Sequence, residues 1–422
     1  MDLLFYDDAN MRTTAAERKA FEPALKKAHK RLDDLRASNA QGFFDLPFDT
    51  KGLKTARASA KRLQAKFDRL IVIGIGGSDL GARMLHAALG GNKMRLTFVS
   101  NPDPETVSAL LDEVNWKKTA ICVVSKSGTT LETMSVFFVL RDALIAAVGA
   151  KSHAAHVVAI TEASDASVLY QVATGAGYEV LEHPTNVGGR FSVLSVVGLF
   201  PAACAGADVA KLLRGAKTYE LDRRSAGIKS SAARFTTHQL NSYLNHGRGI
   251  HVVMPYADAL HPFGLWYRQL WAESLGKVRG DQHVGPTPIA AFGAIDQHSQ
   301  IQLYVEGPDD KTVTFIQLDR FKRDIRVSGK LGGIPVALRF AQGKTFGEIL
   351  AAERVGTSRA LSASGHPNGT IHLPTINAES LGALIQMFLT ATAYAGELLE
   401  INTYDQPGVE HGKREAKQIL SK

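Results

Sequence analysis

The 422-residue sequence has only two cysteines, Cys122 and Cys204, and both lie in apolar runs that predict burial. Two thiols cannot form a disulfide framework, which excludes the small disulfide-stabilised secreted class and favours a reducing compartment. Long hydrophobic runs are also missing, because the most apolar stretch, 193–207, is too short to span a bilayer and contains Pro201. The acidic amino terminus has no signal-peptide pattern. We therefore expect a soluble, cytoplasmic protein with no membrane partner.

Motifs for metals and nucleotides are missing as well. None of the 14 histidines belongs to an HExxH pattern, and His153 with His156 offers too few ligands for a metal. The glycine-rich run 74–81 has Asp79 where a dinucleotide fingerprint needs glycine, and no Gly-Lys-Ser/Thr follows it. The net charge of +8 comes without a zinc-finger or RNP pattern. We expect no metal and no nucleic-acid partner, so the charge indicates either ordinary solubility or an anionic substrate.

Short β-branched apolar runs alternate with helical patterns along the chain. These runs are 70–75, 96–99, 120–124, 157–160, 250–254, 303–305 and 313–316. Continuous apolar strands alternating with helices are typical of parallel sheets that are buried on both faces. We therefore predict an α/β fold with two doubly wound parallel-sheet domains, 46–208 and 209–398. A helical arm (1–45) precedes them, and a long amphipathic stretch (379–401) leads into a helical tail (399–422).

Two glycine-rich loops stand where ligands bind in open sheets, near the carboxyl ends of strands. GIGGSDLG (74–81) follows the strand predicted at 70–73, and its glycines let the backbone approach a ligand closely. A tight strand-to-helix turn would explain this loop equally well. The second loop, NVGGRFS (186–192), places two glycines before Arg190. That guanidinium is either directed into a cleft or part of a structural ion pair.

The loop SKSGTT (125–130) follows the apolar strand predicted at 120–124. Five of its six residues carry a hydroxyl or an ammonium group, and such groups can hold a phosphate dianion at a helix N-terminus. Thr129 and Glu132 also have the spacing of a capping box, which explains part of the pattern. Capping does not require the other hydroxyl groups. We therefore predict a phosphate-binding loop.

Candidate proton-transfer groups lie in two later segments. In HPFGLWYRQLWAESLGK (261–277), Gln269, Glu273 and Lys277 share one helical face. A carboxylate beside the apolar surface of such a helix is a candidate general base. The alternative is a simple i,i+4 Glu–Lys pair, which the spacing alone favours. His298 lies in the polar loop GAIDQHS before a predicted strand, a position where a structural histidine is the more frequent case.

Six stretches together resemble the phosphoglucose isomerase family. They are GIGGSDLG (74–81), SKSGTT (125–130), NVGGRFSVLSVVG (186–198), QLWAESLGK (269–277), GAIDQHSQ (293–300) and YDQPGVEHGK (404–413). The resemblance implies an aldose–ketose isomerase that interconverts D-glucose 6-phosphate and D-fructose 6-phosphate, with no metal and no organic cofactor. It also implies that each predicted domain is a sugar-isomerase (SIS) domain.

The resemblance further implies roles for single residues. Glu273 would move the proton between C2 and C1 through a cis-enediol, and Arg190 would stabilise the enediolate charge. His298 and Lys413 would assist ring opening. The implied substrate-binding residues are Gly77, Ser78, Ser125, Lys126, Ser127, Thr130, Gln269 and Gln406. The family is typically a homodimer whose active-site histidine comes from the neighbouring subunit, so His298 would complete the site of the other subunit.

The sequence departs from the family pattern at two places. Ser127-Gly128 stands where many relatives have Thr-Phe, and Leu275 where many have asparagine. Neither change removes a group with an implied chemical role, but both affect the expected loop shape. Two other functions compete with this one. A non-catalytic sugar-phosphate-binding regulator would have a DNA-binding segment or lack the proton-transfer groups, and neither is seen. An isomerase acting on an amino sugar or on mannose 6-phosphate stays open.

Overall fold

The computed structural model describes residues 3–329 and 333–422. Its strands are β1 (Phe5–Asp7), β2 (Arg69–Ile73), β3 (Arg95–Val99), β4 (Thr119–Val124), β5 (Val157–Thr161), β6 (Glu179–Glu182), β7 (Ile250–Pro255), β8 (Lys277–Arg279), β9 (Gln282–Val284), β10 (Thr287–Ala290), β11 (Lys311–Leu318) and β12 (Asn368–Leu373). Its helices are α1 (Ala15–Ala37), α2 (Thr50–Gln64), α3 (Leu80–Leu89), α4 (Pro104–Glu113), α5 (Leu131–Val148), α6 (Val168–Ala176), α7 (Val196–Ala205), α8 (Val209–Ala226), α9 (Ser231–His246), α10 (His261–Leu275), α11 (Ile301–Glu306), α12 (Phe346–Ala363), α13 (Ala378–Leu398) and α14 (Glu410–Leu420). The predicted α/β class is confirmed.

The first sheet contains β3, β2, β4, β5 and β6 in that order, and all of its pairs are parallel. Side chains of β2 alternate between two apolar clusters, with Leu70 and Val72 on one face and Ile71 and Ile73 on the other. Every residue of β4 and β5 is buried. Burial on both faces explains why these strands are recognisable as continuous apolar runs.

The second sheet has the order β1, β12, β11, β7 and β10. Four of its strands are parallel, whereas β1 pairs antiparallel with β12, and Tyr6 lies opposite Ile371. The stretch predicted as a helical arm therefore supplies an edge strand to the second sheet as well as α1. Tyr6 anchors this strand, since its side chain is buried while Phe5 and Asp7 are exposed.

The prediction of a strand at 303–305 is wrong, because these residues belong to α11. Leu303 is 56% exposed while Tyr304 is buried, so only one side of this helical turn is apolar. The apolar pattern does not reveal β6, β10 or β12. β6 begins and ends with glutamate, β10 contains Pro288, and β12 carries polar side chains, so none of the three has a continuous apolar run.

One apolar cluster extends across both sheets and the helices between them. Nearly every residue of α13 from 378 to 396 is buried. The stretch predicted as amphipathic is therefore a core helix, which crosses α8 through two glycines. A Cβ added to Gly215 would lie 1.9 Å from the carbonyl oxygen of Glu379, and one added to Gly382 would lie 2.0 Å from that of Leu212. The two backbones are thus in contact at this crossing, and the domain boundaries drawn from the sequence stay a prediction.

The remaining expectations concern thiols, membranes and the tail. Cys122 and Cys204 are both buried, as predicted. Within residues 3–329 and 333–422, no helix has both the length and the apolar character needed to cross a bilayer. The tail forms α14, which has no buried residue. The packed part of the chain thus ends before α14 begins.

Candidate active site

The two glycine-rich loops lie against each other, close to the helix that carries Glu273. A 3-10 helix, Gly76–Ser78, follows β2, and a second one, Gly189–Leu194, contains Arg190. A Cβ on Gly77 would lie 2.2 Å from the carbonyl carbon of Gly189 and 2.6 Å from the amide nitrogen of Arg190. Only glycine allows this approach. Gly76, at φ +59°, brings the first loop close to α10, because a Cβ added there would lie 2.7 Å from Gln269 Nε2.

The loop 125–130 gathers hydroxyl groups at the N-terminus of α5. Ser125 Oγ lies 3.1 Å from Thr130 Oγ1, and it also accepts the amide N–H of Gly128 at 3.1 Å. Ser127 Oγ lies 2.8 Å from Thr129 Oγ1. The predicted capping box does not form, because the N-cap is Thr130 and its side chain makes no capping bond. Two hydroxyl pairs therefore stand beside the free N–H groups of a helix, an arrangement suited to an anion.

Lys126 faces away from these hydroxyl groups. Its ammonium donates to the carbonyl oxygens of Thr185, at 2.7 Å, and Val187, at 3.3 Å. It also pairs with Glu162, with an N–O distance of 3.2 Å. These contacts tie the loop to the segment that precedes the second glycine-rich loop. A role of Lys126 as a substrate ligand stays a prediction.

Gly128→Ala is expected to destabilise the protein and distort this loop. Gly128 has φ +69°, and an added Cβ would lie 2.0 Å from the amide nitrogen of Leu169. We expect the free energy of unfolding to fall by more than about 1 kcal/mol, and KM to rise as the hydroxyl groups move. Gly149→Ala is the matched control, since Gly149 has φ +84° but no atom within 4 Å of the added Cβ. Equal losses in urea unfolding of the two variants would contradict the steric argument.

Helix α10 presents Gln269 and Glu273 toward the loops and buries its other side. Trp266, Leu270 and Trp271 are all buried and form the apolar surface of this helix. Gln269 Nε2 donates to Glu273 Oε1 at 3.2 Å, while Gln269 Oε1 is buried and accepts no hydrogen bond within the described parts of the chain. The Glu273 side chain keeps 31% of its surface exposed. Its carboxylate is therefore held by a neighbour and still open to a ligand.

The i,i+4 ion pair that the spacing of Glu273 and Lys277 favours does not form. Helix α10 ends at Leu275, and Lys277 opens β8. The Lys277 ammonium instead donates to the main-chain oxygen of Glu273 at 2.6 Å and to that of Asp405 at 2.9 Å. Burial lowers the pKa of Lys277 and the nearby Arg190 lowers it further, whereas Asp405 opposes the shift. The carboxylate of Glu273 is therefore not paired with Lys277 and can interact with other groups.

Arg190 is the buried centre of the site. Its Nε donates to Ser274 Oγ at 2.7 Å, and its Nη1 donates to Gln406 Oε1. Its Nη2 donates to the carbonyl oxygens of Thr403, at 2.6 Å, and Asp405, at 3.0 Å. Burial lowers the pKa of Arg190, and the attraction of nearby carboxylates opposes that shift. A guanidinium keeps its proton in proteins, so this is a fixed positive charge inside the protein.

The carboxylate of Glu273 lies beside this charge, with Oε2 3.6 Å from Arg190 Nη1. A guanidinium has five N–H groups, and four of those on Arg190 are used by the bonds to Ser274, Gln406 and two carbonyls. The remaining N–H belongs to Nη1, the nitrogen nearest Glu273. Among the residues that the structure describes, the site therefore combines one proton acceptor with one cationic N–H group that has no acceptor.

His298 and Lys413 lie at the surface of the same chain. His298 ends the 3-10 helix Ile295–His298 and is exposed, and within the described ranges it has no hydrogen bond or ion pair to Glu273 or Arg190. Lys413 lies on α14, where its ammonium pairs with Glu410 at 2.8 Å. The structure thus brings together the two glycine loops, α10 and Gln406, but not these two residues.

Some contacts of the site are missed by the sequence interpretation. Ser274 follows the candidate base directly, yet its role as a partner of Arg190 has no motif of its own. The carbonyls of residues 403 and 405 leave no sequence signal either, because any residue supplies one. Leu275, the second departure, is fully buried at the end of α10 and takes no part in the polar site. Within residues 3–329 and 333–422, no group of three or more His, Cys, Asp or Glu residues could hold a metal ion.

Comparison with known proteins gives consistent matches. Residues 59–422 match the family model described as phosphoglucose isomerase. A glucose-6-phosphate isomerase from Rubrobacter xylanophilus is 40% identical, over 95% of this chain and 93% of that protein. One from Carboxydothermus hydrogenoformans is 35% identical, over 93% of this chain and 87% of the other.

Solved structures agree in fold. The crystal structure of a hypothetical protein from Thermus thermophilus has a TM-score of 0.93 at 34% identity, covering 99% of this chain and all (100%) of that one. A glucose-6-phosphate isomerase from Chlamydia trachomatis has a TM-score of 0.86 at 23% identity, covering 100% of this chain and 89% of that one. The second likeness concerns the fold alone.

Proposed function

The chain belongs to the phosphoglucose isomerase family and interconverts D-glucose 6-phosphate and D-fructose 6-phosphate, and we propose that Glu273 is the base that moves the proton in this reaction. The observation that carries this proposal is the position of the Glu273 carboxylate, 3.6 Å from Arg190 Nη1 and 3.2 Å from Gln269 Nε2. A base of this kind works only where the developing negative charge is also stabilised.

The reaction requires the transfer of one proton between adjacent carbons. In the open-chain aldose, Glu273 removes the proton from C2. The electron pair of that C–H bond forms the C1=C2 double bond, and the carbonyl π pair moves onto the C1 oxygen, which gives the ionised cis-enediol, an enediolate. The same group, now a carboxylic acid, returns the proton to C1, and the hydroxyl proton of the C2 oxygen passes to the adjacent C1 oxygen. C1 is then an alcohol and C2 is the ketone. The uncommitted N–H on Arg190 Nη1 stabilises the enediolate oxygen beside the base. Such preorganised donors are among the largest contributions to catalysis.

The phosphate binds at the loop 125–130 in this proposal. Ser125, Ser127 and Thr130 turn their hydroxyl hydrogens from one another toward the phosphate oxygens, and the first turn of α5 supplies backbone N–H groups. Gly77, Ser78, Gln269 and Gln406 line the sugar. The buried Gln269 Oε1, which accepts no hydrogen bond within the described ranges, suits a sugar hydroxyl. Binding energy from the phosphate then fixes the reacting carbons at the base.

We assign ring opening to His298 and Lys413, within a cytoplasmic homodimer that shares its active sites. Three observations support the dimer. His298 is exposed, and α14, which carries Lys413, has no buried residue. An apolar surface also stands open to solvent: Val336 is 73% exposed and Phe340 78%. Exposed apolar surface of this kind marks protein contacts. In the dimer, His298 reaches the site of the other subunit.

Mixing two inactive variants tests this arrangement. Glu273→Gln and His298→Ala are purified separately, exchanged and assayed for conversion of fructose 6-phosphate with a coupled reporter. When equal amounts are exchanged, half of the dimers contain one subunit of each variant. In each of these mixed dimers, one of the two sites has both native residues, Glu273 and His298. We expect about one quarter of the wild-type activity to return. Mixing Glu273→Gln with itself is the control and stays inactive.

Exchange of subunits is confirmed with differently tagged chains. Full exchange without recovery of activity would contradict a shared site, and Glu273 and His298 would then belong to the same chain's centre. Activity of the unmixed Glu273→Gln variant would instead contradict the assignment of the base. Running mannose 6-phosphate in parallel measures any side activity of the same site.

A further inference from the structure

Lys277 holds the end of the catalytic helix to the C-terminal segment. Its side chain is only 7% exposed. The ammonium donates to the main-chain oxygen of Glu273, in the last turn of α10, and to that of Asp405. It also lies 3.6 Å from the Asp405 carboxylate. The buried ammonium of Lys277 thus joins Glu273, the proposed base, to Asp405, the residue before Gln406.

The carbonyl oxygen of Asp405 is shared between two cations. Lys277 Nζ lies 2.9 Å from it and Arg190 Nη2 lies 3.0 Å from it. A carbonyl oxygen has two lone pairs, and here both are occupied by charged donors. The next residue, Gln406, directs Oε1 to Arg190 Nη1. The position of the Asp405 carbonyl therefore sets the position of Gln406.

Beyond Gln406, no side-chain hydrogen bond or ion pair among the described residues joins the tail to the rest of the protein. Thr403 is buried and Tyr404 packs against Phe191, with ring centroids 5.6 Å apart. From residue 405 to residue 422, every side chain is exposed. The contact with Lys277 is thus part of the last fixed point of the tail.

We propose that Lys277 is a positioning residue that holds the C-terminal segment, and with it Gln406, in register with Glu273 during isomerisation. The proposal rests on the site proposed above, because it acts through Gln406 and the base. Lys277 touches no reacting atom. It acts by fixing two main-chain oxygens, and small displacements of such supporting groups are enough to slow catalysis.

A purely structural role is the competing explanation. Lysine near a helix C-terminus satisfies carbonyl groups and stabilises the helix. Such a role would lower the free energy of unfolding and leave kcat unchanged at assay temperature. Positioning would lower kcat of the folded enzyme. The two explanations therefore differ in what a kinetic measurement shows.

The first experiment is Lys277→Met in the full-length protein. We expect kcat to fall by about tenfold to a hundredfold, with a smaller change in KM. Arg279→Met is the matched control, because Arg279 also lies on β8 and donates to the chain just after α13, at the carbonyl oxygen of Leu399, 3.3 Å away. Its kcat should stay near wild type. If Lys277→Met does not fold, Lys277→Gln, which keeps an N–H donor, replaces it.

A double-mutant cycle with Gln406→Ala separates the possible results. If Lys277 acts through this segment, its fold-loss in kcat/KM is smaller in the Gln406→Ala background than in the wild type. Equal fold-losses in both backgrounds, or a lower Tm with unchanged kcat, would overturn the positioning role while leaving the proposed site intact. An unchanged kcat/KM in Gln406→Ala alone would overturn the assignment of Gln406, and the positioning role with it.

Discussion

Glu273→Gln is expected to lower kcat by roughly 10²–10⁴-fold while KM for fructose 6-phosphate stays within about twofold. The amide has the size of the carboxylate and can still accept the hydrogen bond from Gln269 Nε2. It cannot take a proton from carbon. Steady-state kinetics in the coupled assay measures both constants, and incorporation of deuterium from heavy water into the substrate should fall together with turnover.

Glu306→Gln is the control for this variant. Glu306 is an exposed carboxylate at the end of α11 whose hydrogen-bond donor is Gln302 of the same helix. We expect its turnover and its deuterium incorporation to match the wild type. Wild-type turnover in Glu273→Gln would show that another group moves the proton.

Arg190→Lys is expected to lower kcat/KM by about 10²–10³-fold, although the charge is retained. The ammonium has three donors and no planar fork, so it cannot replace the bonds to Ser274, Gln406 and two carbonyl oxygens. It also cannot keep a free N–H beside Glu273. Leaving the buried carbonyl of Thr403 without its donor should cost about 1–3 kcal/mol of unfolding free energy as well.

Thermal unfolding and kinetics together separate these two effects. Arg214→Lys is the control, because Arg214 forms an ion pair with Glu379, at 2.7 Å, while 60% of its side chain is exposed. Exposed pairs contribute little, so both readouts should stay near wild type. A lower Tm with unchanged kcat/KM in Arg190→Lys would contradict the catalytic role of Arg190 and leave it only the structural role of holding the tail.

A strand can be predicted from the sequence when its residues form a recognisable local pattern. Buried parallel strands such as β4 have continuous apolar runs and are found. Edge or polar strands such as β6 and β12 lack that signal. The three helical residues 303–305 show that a short apolar run cannot distinguish a one-sided helix turn from a strand.

The site shows the same division. The glycine loops and the helix of Glu273 carry local patterns that the sequence displays. The partners of Arg190 do not, because Ser274 and the carbonyl of Thr403 lie 84 and 213 residues away in sequence and are joined only by folding. Lys277 is visible in the sequence as a member of a helical face, but its acceptors are main-chain atoms, which no spacing can reveal.

The apolar cluster shared by the two sheets limits how the molecule can move. Hinge or shear closure of two lobes requires an interface that opens or slides. Here one apolar cluster continues across both sheets and the helices between them. Sliding one sheet against the other would disrupt this cluster, so we expect the two sheets to move together and loop-sized segments to exclude water from the substrate. We expect gating on the nanosecond-to-microsecond scale of loops rather than through slow motion of whole lobes.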